Sequence, residues 1–168
     1  MSTTNTTQGL LTLYTHEINK ESVVQIIQNQ FAEVIKTFNL VDKHQLALTF
    51  MDETSIHFNL LAGQKETGAQ IYYMTNYFSQ APLKNTAVKD AALKQISQFN
   101  TIVGINFKIN TDQKRTNYIV NTIYDIAKDL NGFVLHNNMA LYTHDSKLLI
   151  ALDGRSDYDS WEDVPSFA

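Results

Sequence analysis

Residues 21–38 of this chain read ESVVQIIQNQFAEVIKTF, and the fold class is inferred outward from the helix that this stretch predicts. Apolar residues recur in it mostly at intervals of three and four positions, which places them on one side of an α-helix. The members of this apolar stripe are Val23, Val24, Ile27, Phe31, Val34, Ile35 and Phe38. The pattern predicts a long amphipathic helix that covers one face of a sheet.

Segments on both sides of this helix have the composition and alternation that are typical of β-strands. Residues 45–51 and 55–61 alternate apolar and polar side chains and are joined by a short turn, which predicts a β-hairpin. Further strands are predicted at 10–15, 69–78, 101–109, 133–136, 139–143 and 147–152. The strand at 69–78 carries bulky groups on both faces, which favours an interior or dimer-interface strand over a stacking platform for a flat ligand.

Two more helices complete the predicted elements. Pro82 blocks continuation of the preceding strand, and residues 85–99 predict a second, shorter helix. Residues 113–130 predict a third helix, with Thr111 or Asp112 as its N-cap. Gly132 stands where a left-handed residue commonly ends a helix.

These elements predict an α+β fold, with a mixed, largely antiparallel sheet and long amphipathic helices on one face. A chain of 168 residues is long enough to bury a core without disulfides, and this one has no cysteine. We expect a flexible N-terminal arm at 1–8, a single α+β domain at 9–152, and an acidic aromatic C-terminal tail at 153–168.

The first and third helices invite the hypothesis of an internal duplication. Ile27 falls on Ile119, and Phe38 falls on Leu130, when the two helices are aligned. The hypothesis gives two βαβββ units, 10–78 and 102–152, joined by the linker helix 85–99 and related by a pseudo-two-fold axis. The alternative is that any two amphipathic helices superpose at some offset.

Three predicted strands each have one apolar and one polar side. If the polar sides align, they form one surface that could bind a ligand. That surface comprises Tyr14, His16, His57, Asn59, Asn106 and Lys108. The alternative is an ordinary solvated sheet face, which is common in antiparallel sheets.

The charge distribution excludes some classes of partner. The net charge of −4 resides in residues 153–163, and the rest of the chain balances its acidic and basic residues. Nucleic-acid binding requires clustered Lys and Arg, which the chain lacks, so no nucleic-acid partner is expected. No apolar stretch is long enough to span a membrane, and no secretory leader is evident, so we expect a soluble cytoplasmic protein without a membrane partner.

Motifs for catalysis and cofactor binding are absent from the sequence. The glycine spacing at 63–68 resembles a phosphate loop, but Ala69 and Gln70 replace the residues that hold phosphate and magnesium. No nucleophile elbow is present, and we name no catalytic residue and no cofactor. A Leu-Tyr-Thr-His-acid sequence occurs at both 13–17 and 141–145 and could form a divalent-metal site if the two copies met. The alternative, polar residues in strand-end turns, leads us to assign no metal.

The acidic tail carries three aromatic residues that we predict to bind a partner, Tyr158, Trp161 and Phe167. Aromatic side chains dominate the energetics of many contacts. In one interpretation Trp161 and Phe167 fold back and cover the body of the domain. In the other they dock onto a partner protein as a short linear peptide.

The sequence therefore favours a cytoplasmic, non-enzymatic protein-interaction or regulatory domain that self-associates. Its expected partner is another protein or a second copy of the chain. The alternative is a small-molecule-binding protein or a metal-assisted enzyme that uses the polar sheet face, with His16, His57 and Lys108.

Overall fold

A computed structural model describes residues 7–17, 19–42, 44–109 and 113–164. This part of the chain contains four α-helices, eight strands and one short 3-10 helix. The elements in chain order are β1 (Thr7–Thr15), α1 (Lys20–Phe31), β2 (Ile35–Leu40), β3 (Gln45–Phe50), β4 (Ser55–Ala62), α2 (Gln64–Ser79), α3 (Thr86–Ser97), β5 (Thr101–Ile109), α4 (Gln113–Asp129), β6 (Phe133–His136), β7 (Ala140–Thr143), β8 (Leu148–Ala151) and the 3-10 helix Trp161–Asp163.

All eight strands belong to one antiparallel sheet with the order β2-β3-β4-β5-β1-β6-β7-β8. The predicted α+β class and the antiparallel pairing are confirmed. β1 and β5 form the centre of the sheet and pair along nine positions, from Thr7 opposite Ile109 to Thr15 opposite Thr101. Among the described strands, the hydrogen bonds that join the two halves of the sheet are those of this pair.

The helices α1 and α4 pack on the same side of the sheet, which we call the first face. Phe31, at the end of α1, contacts the rings of Phe50 and Phe58 from β3 and β4 and of Tyr118 from α4. The apolar sides of β1, β3, β4 and β5 close this first core from below, so the strand alternation predicted for them matches the packing.

The opposite side, the second face, is covered only in part. Tyr14 follows Leu13 on β1, and the two side chains enter different cores because successive strand residues point to opposite faces. The helices α2 and α3 pack over Tyr14 and over the strands β6, β7 and β8. The second face of β2, β3, β4 and the adjoining half of β5 remains open.

The strand predicted at 69–78 is wrong, because this segment lies within helix α2. The buried members of α2 follow the spacing of a helix, with Thr67, Ile71, Met74 and Phe78 on one side. Aromatic residues favour strands by propensity, but burial of this stripe against the sheet stabilises the helix instead. The helix leaves its remaining aromatic residues on the outside.

The helix predicted at 21–38 ends at Phe31, and its last part is the edge strand β2. A turn at 32–34 separates the two elements. Val34, Ile35 and Phe38 still pack on the first core, as the apolar stripe requires, but they reach it from a turn and a strand. The β-branched residues in this stretch favour the strand, and no glycine or proline marks where the helix stops.

The pseudo-duplication is not confirmed. After α1 the chain goes to the outermost strand β2 and returns inward to β4. After α4 it goes to β6, beside the centre, and proceeds outward to β8. A two-fold axis through the central β1–β5 pair would superpose β4 on β6, which are not equivalent in chain order.

The chain after β8 packs against its own domain as far as the structure describes it. Tyr158 and Val164 are buried in the second core, and the Tyr158 hydroxyl lies 2.8 Å from Oγ1 of Thr143. The arm predicted at 1–8 lies outside the described residues except for Thr7 and Gln8, which belong to β1. The predicted N-caps of α4 at 111 and 112 also lie outside the described residues.

Gly132 has a different role from the predicted left-handed helix end. Asn131 adopts the positive φ of 49°, and Gly132 follows it into β6. A Cβ atom on Gly132 would lie 2.6 Å from the carbonyl oxygen of Tyr14, a distance that real Cβ contacts essentially never show. The glycine is needed because the backbones of β1 and the start of β6 approach closely.

We expect Gly132→Ala to lower the free energy of unfolding by about 2 kcal/mol, because the backbone must shift to admit the methyl group. Guanidinium denaturation followed by circular dichroism measures this change. Gly68→Ala is the matched control, since its Cβ would meet only Cγ of Gln64, at an ordinary 3.7 Å. That variant should be neutral or more stable by up to about 1 kcal/mol. Equal losses in both variants would contradict the close approach at Gly132.

Candidate functional site

Three exposed tyrosines lie on the solvent side of α2. The exposed fractions are 65 % for Tyr72, 71 % for Tyr73 and 53 % for Tyr77. The apolar ring of a tyrosine is more often packed against other residues, with its hydroxyl at the surface. Their exposure follows from the helix itself, because the other side of α2 is buried in the second core. The solvent side of α2 therefore presents aromatic rings that are largely exposed to solvent.

An open cleft of about 400 Å³ lies between α2 and the second face of the sheet, which we call the aromatic cleft. Its lining consists of aromatic, apolar and amide side chains and contains no charged residue. The lining residues are Tyr14, Tyr73, Met74, Asn76, Tyr77, Phe78, Gln80, Leu135 and Asn138.

Tyr14 lies at the base of this cleft. Its ring stacks on Phe99 at a centroid distance of 5.3 Å, and its side chain is buried. Burial raises the pKa of Tyr14 to about 12. The cleft thus offers aromatic surface and a neutral hydroxyl.

A tight hairpin turn brings Asn138 to the edge of the cleft. Asn137 and Asn138 have φ angles of 50° and 59°, and the Met139 amide donates a 3.0 Å hydrogen bond to the carbonyl of His136. Two consecutive positive φ angles are the geometry of a type I′ turn, which asparagine tolerates. The side-chain amides of Asn138, Asn76 and Gln80 can each donate and accept hydrogen bonds at the cleft.

The structure brings together three of the residues predicted for a polar sheet face. His57 on β4 lies opposite Asn106 on β5, and Asn59 lies two positions further along β4. All three side chains are exposed on the second face. They adjoin a hollow of about 300 Å³, the polar hollow, lined by Val41, Gln45, Leu46, His57, Phe58, Asn59 and Asn106.

The other predicted members of that face are separated from it. Tyr14 is on the same face, but α2 and α3 cover it and separate it from the exposed His57, Asn59 and Asn106. His16 lies beyond the end of β1 and is partly buried. The backbone of Lys108 is opposite Ser55, and its side chain lies outside the described residues.

The two Leu-Tyr-Thr-His sequences have opposite phase in the sheet. Thr15 donates to the carbonyl of Leu130 at the end of α4, on the first face. Thr143 contacts Tyr158, on the second face. Because the phase differs by one residue, the two copies cannot present equivalent side chains to one site. Within the described residues no group of three or more histidine, aspartate or glutamate side chains could hold a metal ion.

The predicted partner-binding residues of the tail have different positions. Tyr158 is 5 % exposed and is covered by its own domain. Trp161 begins the 3-10 helix, and its side chain lies outside the described residues. Phe167 lies wholly outside them.

Sequence reasoning missed a pair of titratable side chains on the first face. The Tyr124 hydroxyl of α4 lies 2.7 Å from Nε2 of His136, and the Tyr142 ring contacts the imidazole at 4.8 Å. Burial lowers the pKa of His136. The pKa of Tyr124 is raised, mainly by burial and to a smaller extent by the nearby Tyr142. Nε2 of a neutral imidazole can accept a hydrogen bond from the Tyr124 hydroxyl, whereas a protonated imidazole has no free acceptor. Only folding brings α4 and β6 together, so spacing along the chain gave no signal.

We expect the stability of the protein to fall as the pH drops below about 6.5, the ordinary pKa of histidine. The pKa of His136 is lowered in the folded state, so the unfolded state takes up the proton first and gains stability from it. Urea midpoints at pH 7.5 and 5.5 measure the effect. His136→Gln should reduce the pH dependence. An unaltered pH dependence in His136→Gln would refute this assignment.

No helix in the described part of the chain has the length and apolar character to cross a membrane. Comparisons of the chain with models of known protein families, with curated proteins and with solved structures give no match.

Proposed function

We propose that this chain is a cytoplasmic, non-enzymatic protein-interaction or regulatory domain whose aromatic cleft binds an extended, uncharged segment of a partner protein. The observation that carries the proposal is the exposure of Tyr73 and Tyr77 at the mouth of a cleft with no charged lining. The cytoplasmic location in this proposal is the expectation drawn from the sequence, in which no apolar stretch is long enough to span a membrane.

The chemistry of the lining suits an extended polypeptide. A chain in the polyproline II conformation makes no internal hydrogen bonds, so its carbonyl groups are free to accept them. Tyrosine hydroxyls and the amides of Asn76, Gln80 and Asn138 can donate such bonds. Aromatic-lined grooves bind proline-rich segments in this way, with the rings packing between successive side chains.

The absence of charge in the cleft favours an uncharged occupant. A charged side chain that lost its hydration there would find no opposite charge among the lining residues, and its burial would be unfavourable. The neutral cleft therefore disfavours acidic and basic segments by their desolvation cost. Apolar and proline residues lose little by leaving water.

The test is a selection of random dodecapeptides on phage against the full chain. We expect enriched peptides to be uncharged and rich in proline and aliphatic residues. The binding of a labelled synthetic copy of one selected peptide is then measured by fluorescence polarisation. Tyr73→Ala and Tyr77→Ala should each weaken binding about tenfold, equivalent to about 1.4 kcal/mol, through lost aromatic contact.

Tyr72→Ala is the matched control for these variants. Tyr72 is on the same helix and is 65 % exposed, but it does not line the aromatic cleft. Its removal should leave the peptide affinity within about twofold of the unaltered protein, since it contributes no cleft contact. Enrichment of charged peptides, or equal affinity for all three variants, would contradict the proposed function.

A second candidate function is the binding of a small molecule in the polar hollow. His57, Asn59 and Asn106 share an exposed face and converge on a concave surface. Their one imidazole and two amides suit a small polar ligand better than a metal ion, which takes several charged or imidazole ligands.

Ligand-observed NMR with a library of small polar fragments tests this second candidate. Binding fragments should be lost with a His57→Ala and Asn106→Ala double variant and retained with Tyr73→Ala. The reverse pattern would assign the fragments to the aromatic cleft, and fragments retained by every variant would rule out both sites.

A further inference from the structure

The two edge strands of the sheet, β2 and β8, differ in whether another segment of the chain pairs with their outer side. The chain after β8 follows that edge, because the amide of Ala151 donates to the carbonyl of Arg155 and the amide of Asp157 donates to Leu148. The carboxylate of Asp157 also accepts from the Leu148 amide, at 2.9 Å. In the described part of the chain, no segment pairs with the outer side of β2.

The phase of β2 shows which backbone groups face outward. The amide of Val41 donates to the carbonyl of Gln45, a 2.9 Å bond that closes the β2–β3 hairpin. In an antiparallel pair, residues alternate between bonding to the partner strand and pointing away from it. Asn39 therefore bonds inward to β3, and the amides and carbonyls of Phe38 and Leu40 face the open edge.

Protective features of this edge are confined to its first residues. Edge strands are commonly blunted by a bulge or a lysine. The register of β2 with β3 shifts between Ile35 and Thr37, and the Lys36 ammonium lies 2.7 Å from the Glu53 carboxylate. From Thr37 onward β2 pairs regularly with β3 and carries no charge.

Exposed apolar side chains accompany this regular part of the edge. Leu40 and Val41 are 64 % and 60 % exposed. Phe38 is on the same side of β2 as Leu40 and packs partly on the first core. An added strand would therefore extend an apolar layer that the domain already has.

We propose that β2 pairs antiparallel with β2 of a second copy of this chain, giving a two-fold symmetric dimer with one continuous sheet. This pairing goes beyond the proposed function and assigns a surface to the self-association expected from the sequence.

The outward groups and the charges flanking them point to one register for this dimer. Only positions that face outward in both copies can exchange hydrogen bonds, and among the registers that meet this condition the one that also pairs opposite charges places Phe38 of one copy opposite Leu40 of the other, with Asn39 on the two-fold axis. This register places Lys36 opposite Asp42 of the second copy, a pair of opposite charges repeated by the symmetry. The Asp42 carboxylate already accepts from the amides of His44 and Gln45, which holds it in place.

The same register pairs apolar groups across the interface. Phe38 and Leu40 of the second copy are on the side of the sheet covered by α1 and α4, so both first cores become continuous. The aromatic cleft is at β1 and β6, on the far side of β5 from β2, and dimerisation leaves it open.

The experiment is analytical ultracentrifugation of the full chain over a concentration series. We expect a reversible equilibrium between the 19.1 kDa monomer and a species of twice that mass. Asn39→Lys and Asn39→Asp place like charges opposite each other on the axis and should each raise the dimer dissociation constant about tenfold or more. An equimolar mixture of the two variants should restore association, because the axis then joins opposite charges.

Asn121→Lys adds the same charge at an exposed position on α4 and is the matched control, which should dimerise normally. Circular dichroism melts show whether each variant is folded, and restoration by mixing excludes a merely misfolded variant. Tyr73→Ala should dimerise normally, which separates this proposal from the cleft. A wild-type protein that stays monomeric up to its solubility limit, or a dimer unaffected by both Asn39 variants, would overturn the proposal.

Discussion

The pairing of β1 with β5 is the constraint on which the rest of the structure depends. It runs along nine positions at the centre of the sheet and joins a strand from the start of the described chain to one from its second half. Helices pack above and below this pair, so both strands bury side chains on both sides at one end. Leu13 and Val103 enter the first core there, while Tyr14 and Ile102 enter the second. Such two-sided burial extends to the polar residues at this end, Thr15 and Thr101, and the Thr15 hydroxyl donates to the carbonyl of Leu130.

The uneven cover of the second face determines where the two candidate sites lie. α2 and α3 pack over β1 and β6–β8, and the strands on the other side of β5 keep an open polar surface. The aromatic cleft is formed where α2 meets the sheet, and Tyr14 becomes its base because α2 covers that end of β1. The polar hollow lies on the uncovered strands. One helix pair thus divides the second face into two surfaces of different chemistry.

Sequence periodicity predicted the elements in which only one period fits. The hairpin at 45–61, the strand at 101–109 and the helix at 113–130 alternate or repeat over enough residues to exclude the other geometry. The stretch 69–78 has apolar and aromatic residues at nearly every position, so a strand and a helix fit equally well. Its helical stripe becomes decisive only when the sheet beneath α2 is known.

The candidate sites show the same division between local and tertiary information. His57, Asn59 and Asn106 were grouped correctly on one face, because side-chain direction alternates strictly along each strand. The aromatic cleft was missed, because the tyrosines of α2 were assigned to a strand. The Tyr124 and His136 pair was also missed, because an α-helix and a hairpin meet there only through the packing of α4 on β6. No rule of spacing along the chain encodes such a contact.

The central position of β1 has a consequence for the birth of the protein on the ribosome. β1 is the earliest strand in the described part of the chain, yet both of its neighbours, β5 and β6, come from the second half of the chain. Until β5 is synthesised, β1 and β4 have unpaired edges and the nascent chain exposes apolar side chains. Folding must therefore wait for late residues, and contacts of such long sequence separation form slowly. The partly synthesised chain that ends before β5 is consequently the species whose exposed apolar side chains chaperones have most need to cover.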